Sequence, residues 1–467
     1  MGLESANDKT PLLVVEEAQP AERLPIKRTG TVWTAVAHIV TGVIGSGVLS
    51  LAWSIAQLGW IAGPLAMVIF ASITLISAFL LCNTYRSPDP EYGPNRNRSY
   101  LDTVDFHLGE KYARVCSLFV YLSLYGLGIA YNVTSAISMR AIQKSNCNHK
   151  EGHKAACEYG DTYYMLLFGV VQTVLSQIPN FHNIEWLSVV AAIMSFTYSF
   201  IGMGLAIALV VEDGYVKGSI GGITTTATSE VAKVWLVAQA LGDIAFAYPY
   251  SVILIEIQDT LKSPPPETQT MKKASIISVV ISTLFYLCCG SSGYAAFGDD
   301  TPGNLLTGFG KYGPYWLVDI ANLCIVFHLV GAYQVYSQPL FANVENWFHA
   351  KYSSSEFVNR IYTLKLPLLP AFTVNLLRLC FRTAYVASTV IIALIFPYFN
   401  QVLGALGGMT FWPLTIYFPV EMYFKQENIQ AWTTKWVVLR TFTVVGLMVA
   451  LFSLAGSIEG LIIERLS

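Results

Sequence analysis

Charge is what this sequence has least of. Only 12% of its 467 residues are Asp, Glu, Lys or Arg, against roughly a quarter in soluble domains. With 54% hydrophobic residues, a water-soluble fold would have no polar surface to present. No Gly-Lys-Ser/Thr phosphate loop occurs, which excludes a nucleotide-driven pump. A net charge of −2 gives nucleic acid no basic surface to bind. The histidines are scattered rather than clustered, so a metal site or a membrane-embedded enzyme such as an acyltransferase lacks its chemistry. The first thirty residues hold no apolar core behind a basic start; polar, acidic and broken by Pro20 and Pro25, they are expected to form a disordered cytosolic tail, residues 1–30.

What the sequence has in abundance is long apolar runs, each near the 20 residues that cross a bilayer as helix. Eleven occur, at about 31–57, 60–84, 113–138, 162–179, 185–211, 233–256, 273–295, 315–341, 383–397, 401–420 and 436–458. They do not alternate as barrel strands would. The chain is therefore an all-α polytopic membrane protein, with a transmembrane domain over 31–458 and a short extracellular tail, 459–467. An N-terminus inside places 20 Lys and Arg on the cytosolic side and 8 outside, as the positive-inside rule requires. Residues 100–111 read as an interfacial helix. Six of the eight cysteines lie in or beside spans; Cys147 and Cys157 flank an exterior polar loop. An oxidising exterior favours a disulfide between them over a metal site with His149 and His153.

Two spans are interrupted. Span 1 carries Gly42, Gly45, Ser46 and Gly47 within six residues, expensive for a helix interior. Span 6 carries Gly242, Asp243 and Pro249, and an acid deep in a membrane is a functional candidate. These are the first members of two five-span halves, a five-plus-five arrangement with an eleventh helix appended. Matching breaks point to an inverted-repeat transporter with its site at the midplane. Amides of Ser46, Gly47 and Val48 can bind a carboxylate. Carbonyls from Gly42 to Ile44 and from Asp243 to Ala247 can accept from an ammonium. That chemistry suits a zwitterion. Small-residue runs also pack helices together, so the coincidence of the two breaks, rather than either alone, carries the reading.

Gly45-Ser46-Gly47-Val48-Leu49-Ser50-Leu51-Ala52-Trp53, followed by Ala56-Gln57-Leu58-Gly59-Trp60, resembles span 1 of the amino acid/auxin permease family. Arg28-Thr29-Gly30-Thr31, Tyr85-Arg86-Ser87, Ile244-Ala245-Phe246-Ala247-Tyr248 and Pro397-Tyr398-Phe399-Asn400 resemble its plant amino acid permease branch. The likeness covers the chain after residue 28. It implies proton-coupled import of a broad range of amino acids at the plasma membrane, by alternating access, with the proton gradient as driving force and no cofactor.

The expected substrate residues are Ile44, Gly45, Ser46, Gly47, Val48, Asp243, Ala245, Phe246, Tyr248, Tyr131, Asn132 and Asn322. The proton candidates are His38, Asp243 and His328, since histidine titrates near physiological pH. His38, seven residues or about 10 Å before Gly45, is expected at the inner gate. Asp243 is expected in the span 6 break, on the ammonium, carrying the proton or capping the broken helix. Asp319 and His328 face opposite sides of span 8, and depth favours His328. Span 5 has no acid or lysine in its core, which excludes a fixed charge there in place of sodium. The rival readings are a passive facilitator and an amino acid sensor.

Overall fold

Backbone polar groups in hydrocarbon must be satisfied within the chain, and the apolar runs accordingly fold as helices. The computed structural model describes residues 13–17, 28–152, 157–178, 185–222, 229–312, 314–364 and 372–466. Among them, eight helices are long and apolar enough to cross a membrane, and Val32–Val43 and Thr162–Ser176 are shorter apolar helices. Helix Leu51–Cys82 contains the end of span 1 and span 2 up to Cys82, folded at Gly59 (φ 84°). A β-carbon at Gly59 would lie 2.2 Å from the Ile220 carbonyl oxygen, so both the conformation and the space require glycine.

Several boundaries differ from the sequence reading. Span 3 is a helix from Glu110 to Glu151, about 60 Å long at helical rise, so it projects well beyond a bilayer of about 30 Å. Its far end is tied by a disulfide, Cys147–Cys157, with Cα atoms 5.9 Å apart. His153, of the alternative metal reading, lies outside the described residues. Span 9 begins at Leu376, capped by Asn375. Span 10 runs through Phe399–Phe411, a wider π-helical turn at Trp412–Tyr417, and Phe418–Gln426; Pro413 lacks the amide that a regular turn needs. Residues 459–466, expected only as a short tail beyond the last span, continue the helix Thr434–Leu466.

The interfacial helix forms at Tyr100–Leu108, capped by Ser99. On the same side, residues 360–364 and 372–375 make a hairpin, and Leu13–Glu17 of the expected disordered tail pairs antiparallel with Arg360–Leu364. The Leu-Val-Val run has strand propensity that the tail's overall polarity concealed. Most of residues 1–30 lie outside the described residues.

Candidate substrate site

The first break follows Val43. Helix Val32–Val43 ends at Ile44, whose backbone is extended, and the chain resumes as a 3-10 turn, Ser46–Leu49. The second break follows Ala247: helix Glu230–Ala247 ends, Tyr248 to Tyr250 are irregular, and Ser251–Asp259 resumes. Tyr248 keeps helical backbone angles (φ −95°, ψ −29°); Pro249 after it has no amide to continue the helical hydrogen bonds, and the chain leaves the helix there.

The two breaks face each other. A β-carbon at Gly47 would lie 3.3 Å from the Ala247 Cα and the Phe246 ring. The Tyr286 hydroxyl of span 7 reaches the Val43 carbonyl at 2.7 Å and the Ala247 carbonyl at 3.1 Å. It has one proton, so it donates to one carbonyl at a time. Its ring packs edge-on against Tyr248, with centroids 5.3 Å apart.

A cavity of about 350 Å³ opens from the breaks, within the range of small-molecule sites. Gly42, Val43, Gly45, Ser46 and Gly47 of span 1 and Phe246, Ala247 and Pro249 of span 6 line its inner end. Tyr131 of span 3 and Tyr336 of span 8 form a wall, their ring centroids 6.2 Å apart. Toward its mouth lie Ser99, Tyr100 and Leu101, the cap and first residues of the interfacial helix, and Glu256. The cavity thus reaches the face that holds the interfacial helix and the start of span 1. At the other end, the loop after span 5 sits on the span 1–2 corner, where Trp60 donates to the Lys217 carbonyl at 3.2 Å.

Of the expected substrate residues, Gly45, Ser46, Gly47, Phe246 and Tyr131 line this cavity. Ile44, Val48, Ala245 and Tyr248 are buried behind it. Asn132 and Asn322 are buried too and are not among the lining residues. The Asn322 amide donates to Val318 in its own helix at 2.9 Å, while neither amide atom of Asn132 has a partner among the described residues.

The proton candidates separate. His38 is exposed, on the face of helix Val32–Val43 that carries Trp33, Thr34 and Ala37, and does not line the cavity. This corrects its expected place at the inner gate. Asp243 is also displaced from expectation. It lies inside helix Glu230–Ala247, four residues before its end, rather than in the break. It is fully buried and faces span 10, where a β-carbon on Gly404 would lie 3.1 Å from its Oδ1. Neither carboxylate oxygen has a donor among the described residues. Gly242 explains the error: its β-carbon would lie 2.5 Å from the Gly404 carbonyl oxygen, so this glycine permits helix packing and does not mark a break. His328, favoured on depth to line the cavity, is buried behind it and is not among the lining residues. Its Nδ1 is 2.9 Å from the Ala191 carbonyl oxygen, which leaves Nε2 directed at span 1, 3.8 Å from a β-carbon built on Gly45.

Sequence reasoning missed Tyr286, Tyr336 and Glu256. The chain has 26 tyrosines, and nothing local distinguishes these two. Glu256, a carboxylate within an apolar run, was visible and was passed over.

Two interrupted helices meeting at the inner end of a cavity, in a bundle of membrane-spanning helices, define a membrane transport protein. The chain belongs to the family described as transmembrane amino acid transporter protein, whose model matches residues 28–461. It is similar to probable amino acid permease 7 of Arabidopsis thaliana, 60% identical over 93% of this chain and 94% of the relative. It is 53% identical to amino acid permease 3 of the same plant, over 94% of this chain and 92% of the relative. Lysine histidine transporter-like 6 is a more distant relative, 29% identical over 92% of this chain. The chain is therefore a transporter of amino acids and not an enzyme.

Proposed function

We propose that this protein is a proton-coupled symporter that imports a broad range of amino acids across the plasma membrane by alternating access. The observation that carries the reading is the cavity whose inner end is formed by both helix breaks. There the amides that open the second part of span 1 suit the substrate carboxylate, and the break carbonyls suit the ammonium. Recognition through backbone groups common to all amino acids leaves the side chain to the wall of Phe246, Tyr131 and Tyr336, which favours breadth over selectivity. With the N-terminus inside, as the Lys and Arg distribution supports, the cavity opens to the cytosol and the C-terminus lies outside.

Two groups suit the proton. His328 points at the span 1 break from behind. Asp243 is buried beside the other break with no donor to its oxygens. An unpaired charge there is costly, so its protonation responds to whichever conformation admits water. His38, exposed and away from the cavity, drops out of this role.

The test is amino-acid-evoked current in a voltage-clamped cell, without sodium, at acidic and near-neutral external pH. The expected result is inward current that grows with acidity. Labelled amino acid entering without current would instead mean a facilitator or electroneutral exchanger, and neither current nor uptake would restore the sensor.

A further inference from the structure

A second cavity, of about 700 Å³, lies on the face of the interfacial helix, apart from the substrate cavity. Arg28, Arg86, Arg96 and Arg98 line it, with Asn95 and Phe106. Two carboxylates answer these four guanidinium groups. Asp259 accepts from Arg28 at 2.7 Å and from the Tyr85 hydroxyl at 2.7 Å. Glu267 takes a two-pronged bond from Arg86, at 2.9 and 2.8 Å, and stands 3.4 Å from Arg96. Arg98 is exposed and has no ion pair among the described residues. The exposed Asp102 and Asp105 of the interfacial helix are not in the lining.

Two positive charges therefore remain uncompensated in one cavity, close to the charge of a phosphate monoester at neutral pH. Guanidinium groups converging on a cavity are suited to phosphate oxygens, which accept paired N–H donors. On the orientation proposed above, the cavity lies at the cytosolic membrane surface, where anionic headgroups concentrate. Phe106, 51% exposed, offers an apolar rim beside it.

We propose that this arginine-lined cavity binds a phosphomonoester, presented by a phospholipid headgroup or by a soluble phosphorylated metabolite. The site is distinct from the substrate cavity and does not depend on proton coupling. Its position gives binding a consequence. Arg28 opens span 1, and its partner Asp259 closes span 6, so a phosphate drawing on Arg28 competes with the link between the two interrupted spans.

The experiment measures equilibrium binding of a fluorescent short-chain phosphatidylinositol 4-phosphate to the purified full-length protein in detergent, with phosphatidylcholine as control. Arg98→Gln and the double variant Arg96→Gln/Arg98→Gln are compared with wild type; monodisperse elution shows that they fold. Binding should be saturable and should weaken about fivefold for each arginine removed. Free inositol 1,4-bisphosphate competing only weakly would identify the bilayer as the source, and equal competition would identify a soluble ligand; both support the site. Unchanged affinity in the double variant, or equal binding of phosphatidylcholine, would overturn it. Because binding is measured without transport, loss of the symport reading would leave the result intact.

Discussion

Replacing Tyr286 with Phe removes one oxygen and tests whether the two helix breaks act together. The hydroxyl lies 2.7 Å from the Val43 carbonyl and 3.1 Å from the Ala247 carbonyl, and both the ring and its partners are buried. The ring stays in Phe, so packing against Tyr248 is kept. What goes is one hydrogen bond, worth about 1 kcal/mol net, and the restraint on two carbonyls offered to the substrate ammonium. A penalty of about 1 kcal/mol corresponds to roughly a fivefold change in an equilibrium constant. The Tyr286→Phe variant should therefore reach the surface normally and need about five times more amino acid for half-maximal current. The assay is evoked current against substrate concentration, normalised to surface protein. An unchanged half-saturating concentration and maximal current would refute the argument and leave Tyr286 as a packing residue.

Gly45 separates space from bulk. Its β-carbon position is open, with His328 Nε2 at 3.8 Å, so Gly45→Ala should keep surface expression and measurable uptake, whereas Gly45→Val should reach the surface and transport nothing. Full uptake by the valine variant would remove Gly45 from the site. Asp243→Asn should transport with a response to external pH flatter than wild type; an unchanged pH profile and affinity would leave Asp243 a purely structural residue. Cys147→Ser should cost about 2–3 kcal/mol, the loop-closure value for a short disulfide loop, read as a lower melting temperature that reductant no longer changes. Equal melting of wild type and variant would show that the bond contributes nothing to stability.

The existence of the spans was legible because a bilayer imposes length and apolarity on each one. What each side chain meets was not. A helix declares its buried face by amphipathicity, and Thr34, His38 and Thr41 do recur at i, i+4 and i+7, opposite the buried Ala35, Val36, Ile39, Val40 and Val43; the spacing put His38 on a polar stripe but did not tell whether that stripe lines a cavity or faces outward. The breaks were legible as clusters of Gly and Pro, yet Gly has two causes in membranes. Gly47 allows the close approach of spans 1 and 6, while Gly242 allows the close approach of spans 6 and 10. Only the fold tells them apart, which is why Asp243 was expected in the cavity and is found beside span 10. Tyr286 was illegible for another reason: its role is to join two carbonyls that come together only in the folded chain.

The interrupted spans are tied at more than their breaks. At the far end of span 1, Gly30 and Lys262 exchange backbone bonds with Thr260 and Gly30 at 3.0 Å each, and Arg28 pairs with Asp259. Tyr286 links the breaks, where Gly47 also meets Ala247. A helix pair held at two levels is expected to move as one body, with the cavity opening and closing against spans 3, 8 and 10. Cross-linking distinguishes this from a cycle in which spans 1 and 6 part. In an Arg28→Cys/Asp259→Cys variant, a short bis-methanethiosulfonate, which joins two thiols and releases methanesulfinate, should leave transport where it stood before the reagent, a comparison that controls for loss of the ion pair. In Val252→Cys/Tyr336→Cys, whose residues line the cavity from spans 6 and 8, the same reagent should arrest transport. Arrest in the first variant would mean that the two interrupted helices separate during each cycle, and that their ties are a gate rather than a brace.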